Sequence, residues 1–135
     1  LFEALREVVM THNIKVLLVD DEEDFISALS ERLRMRNYDT KVATSGEAAL
    51  SEIEEDRPHI VVLDLKMPGI GGMETLIKIK AIDPSIDVIM LTGSLDSEVG
   101  ETALRAGASF HVVKPIDIED LTGKLEHIKK ERGLD

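Results

Sequence analysis

The chain has 135 residues, 43% hydrophobic and 32% charged, and its 16 basic against 27 acidic residues leave a net charge of −11. That length suits one domain with a real core and is too short for two, and the acidic balance argues against direct binding to nucleic-acid phosphates. Cysteine is absent, which excludes disulfides and thiolate chemistry and fits a reducing cytoplasm. No apolar run approaches the ~20 residues of a membrane span, and the amino end lacks the basic flank and apolar block of a secretory signal.

In chain order, Leu1–Asn13 comes first and stands outside the main pattern. Phe2, Leu5, Val8 and Val9 are spaced for a short amphipathic helix. It reads as the tail of an upstream segment or as a remnant preceding a start at Met10. From residue 14 to about 132, short apolar runs alternate with amphipathic segments. The runs are Lys15–Val19, Tyr38–Ala43, Ile60–Leu63, Val88–Leu91 and Phe110–Val113. Four of them are nearly continuously apolar, as parallel strands covered on both faces are. The more mixed Tyr38–Ala43 suits an edge strand.

Helices fit between these runs. Phe25, Ala28, Leu29 and Leu33 make one apolar stripe; Val99, Ala103 and Ala106 make another; Ile118, Leu121, Leu125 and Ile128 make a third. Pro58 and Pro84 each stop a helical stretch, and Asp117 stands at the N-cap of the last one. The pattern predicts a doubly wound α/β domain, flavodoxin-like, with a five-stranded parallel sheet in the order 2-1-3-4-5 and five helices.

Ligands of such sheets bind beyond the carboxyl ends of the strands. The first strand ends on Asp20 and Asp21, the third on Asp64, the fourth on Thr92, and the fifth on Lys114 followed by Pro115. Neighbouring parallel strands lie roughly 5 Å apart, so these groups converge. Three carboxylates this close need either a raised pKa on one of them or a hard cation, and Mg²⁺ suits oxygen ligands in an incomplete protein cage. With the Lys114 ammonium and the Thr92 hydroxyl, these are the parts phosphoryl transfer requires. A carboxylate can itself be the nucleophile, giving an aspartyl-phosphate. The Gly69–Gly72 run lacks the Lys-Ser/Thr ending of a P-loop and reads as a turn. The four histidines show no paired spacing for zinc.

At these residues the sequence resembles the receiver domains of two-component response regulators. The matching pieces are VLLVDDEED at Val16–Asp24, VVLDLKMPGIGG at Val61–Gly72, MLTG at Met90–Gly93 and GASFHVVKP at Gly107–Pro115. The resemblance implies that Asp64 accepts a phosphoryl group from a phosphohistidine on a histidine kinase or phosphotransfer protein. It implies that Asp21, Asp64 and the backbone carbonyl of Lys66 hold Mg²⁺, with Asp20 assisting through water. Thr92 and Lys114 would hold the phosphoryl group, and Lys114–Pro115 would be a cis peptide. Output would pass through the face of the fourth helix, fifth strand and fifth helix, to a partner or a second copy.

Two positions depart from the family pattern. Gly93 replaces the usual alanine. His111, beside Phe110, stands where an aromatic usually swings inward on activation. It reads either as a strand residue facing the surface or as a smaller, titratable switch paired with Thr92. Lys66 is placed to lie across the path of an attacking water, and Ser94 offers little to position that water, so a long-lived phosphoryl group is expected. No effector follows Asp135, which suits a stand-alone regulator, a relay intermediate or a piece of a longer chain. The expected role is a switch and not a turnover enzyme. The alternatives are an aspartyl-phosphate phosphatase on a similar sheet and a pseudo-receiver that binds partners without phosphorylation.

Overall fold

The computed structural model describes residues 13–93 and 97–134. The expectations for the segment preceding Asn13 and for Ser94 therefore lie outside the described residues. The elements are β1 (Lys15–Val19), α1 (Glu23–Arg34), β2 (Asp39–Ala43), α2 (Gly46–Glu55), β3 (Ile60–Asp64), α3 (Gly71–Ile82), β4 (Asp87–Thr92), α4 (Ser97–Arg105), β5 (Phe110–Val113) and α5 (Ile118–Glu131). The five strands are parallel, in the order β2-β1-β3-β4-β5. This is the predicted doubly wound sheet.

Strand alternation divides the core into two layers. On one face Val16, Leu18, Ile60, Val62, Ile89, Leu91 and Val112 pack against α1 and α5, through Ile26, Leu29, Leu33, Leu121, Leu125 and Ile128. On the other, Leu17, Val19, Val61, Leu63, Val88 and Met90 meet Ala49, Ile53, Leu76, Ile79 and Ala103 of α2, α3 and α4. The central strands are buried on both sides, which explains why their sequences run apolar without alternation.

The α1 stripe differs from its prediction. Ile26 is fully buried, Phe25 is half-buried and Ala28 is exposed. The helix is rotated about its axis so that Ile26 reaches the sheet. Phe25 then lies at the rim, where the Lys114 ammonium sits 4.9 Å from its ring centre. The predicted strand bounds shift by a residue at several ends; β3 runs on through Asp64 and β4 through Thr92.

Local signals set the helix ends. Ser45 caps α2 by accepting from the Ala48 N–H at 3.0 Å, and Asp117 caps α5 by accepting from the Glu119 N–H at 2.9 Å. At the outer edge, Arg34 donates from Nε to Thr40 Oγ1 at 2.9 Å and from Nη2 to the Thr40 carbonyl at 3.2 Å. At the amino-terminal end of the sheet, the Tyr38 hydroxyl donates to Glu126 of α5. Burial, then the Glu126 hydrogen bond and charge, hold the Tyr38 phenol well above its usual range. Leu134 packs on the first core layer after its N–H closes the end of α5 onto the Lys129 carbonyl. Among the described residues no helix is long and apolar enough to cross a membrane.

Candidate functional site at the carboxyl ends of the strands

Register decides which residues meet. Val19 pairs with Leu63, Leu91 with Asp64, and Thr92 with Val113. The residues that follow each strand therefore emerge at one level. The Asp20 N–H is held by the Ala43 carbonyl at 3.2 Å, and the Lys114 N–H by the Thr92 carbonyl at 2.8 Å. Asp20 and Lys114 are thus continuations of the sheet and not loop residues free to wander.

Asp20, Asp21 and Asp64 each bring a carboxylate oxygen within 4.8 Å of the others. Asp20 is fully buried and Asp64 nearly so, while Asp21 is exposed. Lys114 Nζ lies 2.8 Å from Asp20 Oδ2, 3.3 Å from Asp64 Oδ1 and 3.7 Å from Glu22 Oε1. The other Asp20 oxygen accepts from the Glu22 N–H at 3.0 Å. The Lys114–Pro115 peptide is cis.

The electrostatics follow from this crowding. Burial and then the Asp20 charge push the Asp64 carboxyl up to about 6, against the opposing pull of Lys114. For Lys114, burial works against the charge, but the Asp20 hydrogen bond and the Asp64 and Asp20 carboxylates outweigh it, so the ammonium is held above its ordinary range. One ammonium does not balance three carboxylates. The donor set, all oxygen and short of positive charge, fits a hard divalent cation.

The remaining residues singled out in the sequence fall around this cluster. The Thr92 hydroxyl is buried and meets no hydrogen-bond partner among the described residues, a state that normally carries a cost. Lys66 is exposed on the β3–α3 connection. His111 is half-buried, with its Nδ1 buried and likewise unpartnered among the described residues. One edge of its ring packs on α4: a Cβ on Gly100 would come within 2.7 Å of His111 Nδ1, so the imidazole occupies the space a side chain would fill there.

Two residues at the site were missed by the sequence reasoning. Glu22 reaches Lys114 and does not cap α1, although it holds the N-cap position. Glu47 of α2 accepts from the Ile70 N–H in the β3–α3 connection at 3.0 Å. The DDE run was a signal for Glu22, since a third acid follows the pair directly. Nothing local signals Glu47.

The response regulator receiver domain model matches residues 16–126. Among curated proteins the chain is 36% identical to sporulation initiation phosphotransferase F of Bacillus subtilis over 109 residues, covering 81% of this chain and 88% of that protein. It is also 36% identical to the transcriptional regulatory protein ZraR of Escherichia coli over 118 residues, covering 87% of this chain but only 27% of that protein. The chain thus spans about a quarter of ZraR. A receiver domain protein from Clostridium thermocellum superposes with a TM-score of 0.85 at 29% identity, over 90% of this chain and 98% of that one. The receiver domain of NtrX from Brucella abortus gives 0.82 at 29% identity, over 85% and 98%. With this topology, this acidic cluster and a family match over most of its length, the chain belongs to the receiver domains of two-component response regulators.

Proposed function

We propose that the domain is a phosphoacceptor switch whose acceptor is Asp64. The observation that carries this reading is the buried Asp64 carboxylate, within 4.8 Å of Asp20 and Asp21 and 3.3 Å from the Lys114 ammonium. An Asp64 oxygen attacks the phosphorus of a phosphohistidine. A new O–P bond forms, the P–N bond breaks, and the imidazole leaves with the electron pair and takes up a proton. The nucleophile must be ionised, and with its carboxyl at about 6 Asp64 is mostly so at neutral pH. Asp20, Asp21, Asp64 and the Lys66 carbonyl would hold Mg²⁺. Bound there, the ion neutralises the carboxylates and the oxygens of the transferring group.

Lys114 is already at the acceptor oxygen and needs to move little to follow charge onto the phosphoryl group. The Thr92 hydroxyl, buried without a partner among the described residues, gains one when it donates to a phosphoryl oxygen. That difference between states is what a switch requires. His111, seated against Gly100, would sense the change through α4. The exposed apolar side chains Leu104 (40%) of α4 and Val113 (43%) of β5 support a partner or homodimer contact through the α4, β5 and α5 face. The role is a switch and not a turnover enzyme. The Bacillus subtilis relative, a sporulation initiation phosphotransferase matched over 88% of its length, supports a phosphoryl-passing partner such as a histidine kinase or phosphotransfer protein.

The test is intact-mass measurement after incubation with acetyl phosphate and Mg²⁺. One phosphoryl group is expected on the wild type and none on Asp64→Asn. Undiminished labelling of the variant would reassign the acceptor.

A further inference from the structure

The β3–α3 connection bears the Lys66 carbonyl, and its own sequence holds it weakly. Its base is closed by the Gly72 N–H donating to the Leu65 carbonyl at 2.9 Å. Beyond that, α3 begins without a local cap: Ile70 holds the N-cap position and its side chain makes no capping hydrogen bond. A helix start of this kind leaves amide donors and the positive end of the helix dipole unanswered.

Glu47 answers one of these donors, and the dipole, from a different element. It lies in the first turn of α2, and its Oε1 accepts from the Ile70 N–H at 3.0 Å. Gly69, at φ +83°, turns the chain so that the Glu47 carboxylate occupies the place of its missing side chain; a Cβ there would stand 2.5 Å from Oε1. The Glu47 amide and the Ile70 amide hold this carboxyl below the usual carboxylate range, so it is charged at neutral pH. The connection is therefore pinned twice, at its base by Leu65 and at its far side by Glu47, with Lys66 between the two.

We propose that Glu47 is a positioning residue for the phosphoryl site, a cap supplied by α2 that fixes the connection carrying the Lys66 carbonyl and so sets the affinity for Mg²⁺. The inference rests on the Mg²⁺ reading of the Asp20, Asp21 and Asp64 cluster. Mg²⁺ demands near-ideal ligand placement, and groups that orient its ligands are worth tenfold or more in affinity. Releasing the connection costs binding although Glu47 itself touches no ion.

The experiment is a Mg²⁺ titration of the whole chain followed by backbone amide NMR shifts, which needs no phosphorylation. Glu47→Ala is expected to weaken Mg²⁺ at least about fivefold. Glu47→Gln keeps an acceptor oxygen for the Ile70 N–H and is expected to stay within about twofold of the wild type. Tyr38→Phe removes a hydrogen bond at the opposite end of the sheet; it is expected to lower stability and leave Mg²⁺ affinity alone. Equal affinity in Glu47→Ala and wild type overturns the proposal. Equal weakening in Tyr38→Phe overturns it too, because the effect would then be general loosening. No Mg²⁺ response in the wild type overturns it together with the metal reading. Phosphoryl labelling that survives Asp64→Asn would instead sink the acceptor assignment and leave this titration standing.

Discussion

The Lys114 ammonium sits 2.8 Å from a carboxylate oxygen of Asp20 that solvent does not reach. The two residues are 94 positions apart in sequence and meet because β1 and β5 end at the same level of the sheet.

Removing that ammonium leaves a buried carboxylate without its counter-charge. Lys114→Ala is expected to lower unfolding free energy by about 2–4 kcal/mol in the absence of Mg²⁺, and saturating Mg²⁺ should restore part of it. Urea unfolding with and without the ion measures both. An unchanged midpoint would mean Asp20 finds another partner.

Asp64 makes the opposite prediction. Folded, its carboxyl keeps its proton to about 6, against an ordinary value of 3.8. Between those pH values the native state binds more protons than the unfolded state, so the contribution of Asp64 is most favourable below 3.8 and is lost as pH rises through 6. Asp64→Asn removes the charge and should stabilise the metal-free protein at pH 7, by up to about 3 kcal/mol at roughly 1.4 kcal/mol per pH unit of displacement. The gain should shrink as pH falls toward 4. A gain independent of pH would point to packing and not to charge.

Gly100 is the seat of the His111 ring. Alanine is the better helix former by about 1 kcal/mol, yet Gly100→Ala drives a methyl group into the imidazole and is expected to destabilise by about 1–2 kcal/mol net. In a His111→Ala background the same change should be neutral or stabilising. The coupling energy from the double-mutant cycle checks this, and additive effects would show that the ring does not depend on the notch. Partner affinity compared before and after phosphorylation, in wild type and His111→Ala, tests the switch role separately; equal ratios count against it.

Lys66 should lengthen the life of the phosphoryl group. Hydrolysis needs a water in line with the phosphorus, and an ammonium stem across that path obstructs it. Lys66→Asn at equal Mg²⁺ is expected to lose phosphate about fivefold faster, the change that roughly 1 kcal/mol gives. Equal or slower loss means the side chain does not guard the site.

The sheet was legible because parallel strands buried on both faces carry unbroken apolar runs, as at Ile60–Leu63. The convergence of Asp20, Asp64, Thr92 and Lys114 followed from topology alone, since strand order and direction place every carboxyl end on one side. Ile26 was not legible: Phe25, Ala28 and Leu29 satisfied helical spacing equally well, and only packing against the sheet selects the rotation. The His111 seat was hidden because it depends on an absent side chain in a different element. The Glu47 contact spans 23 residues between a helix start and a connection, and no periodicity or spacing encodes such a pair.

Arg34 gives the outermost strand a further property. In β2 the Ala43 carbonyl turns inward to Asp20, and alternation turns the Thr40 carbonyl outward, where the Arg34 guanidinium takes it. A foreign strand approaching along this margin would need that oxygen as an acceptor and would have to displace a charged donor to obtain it. The margin thus resists the strand addition by which exposed sheet edges template aggregates.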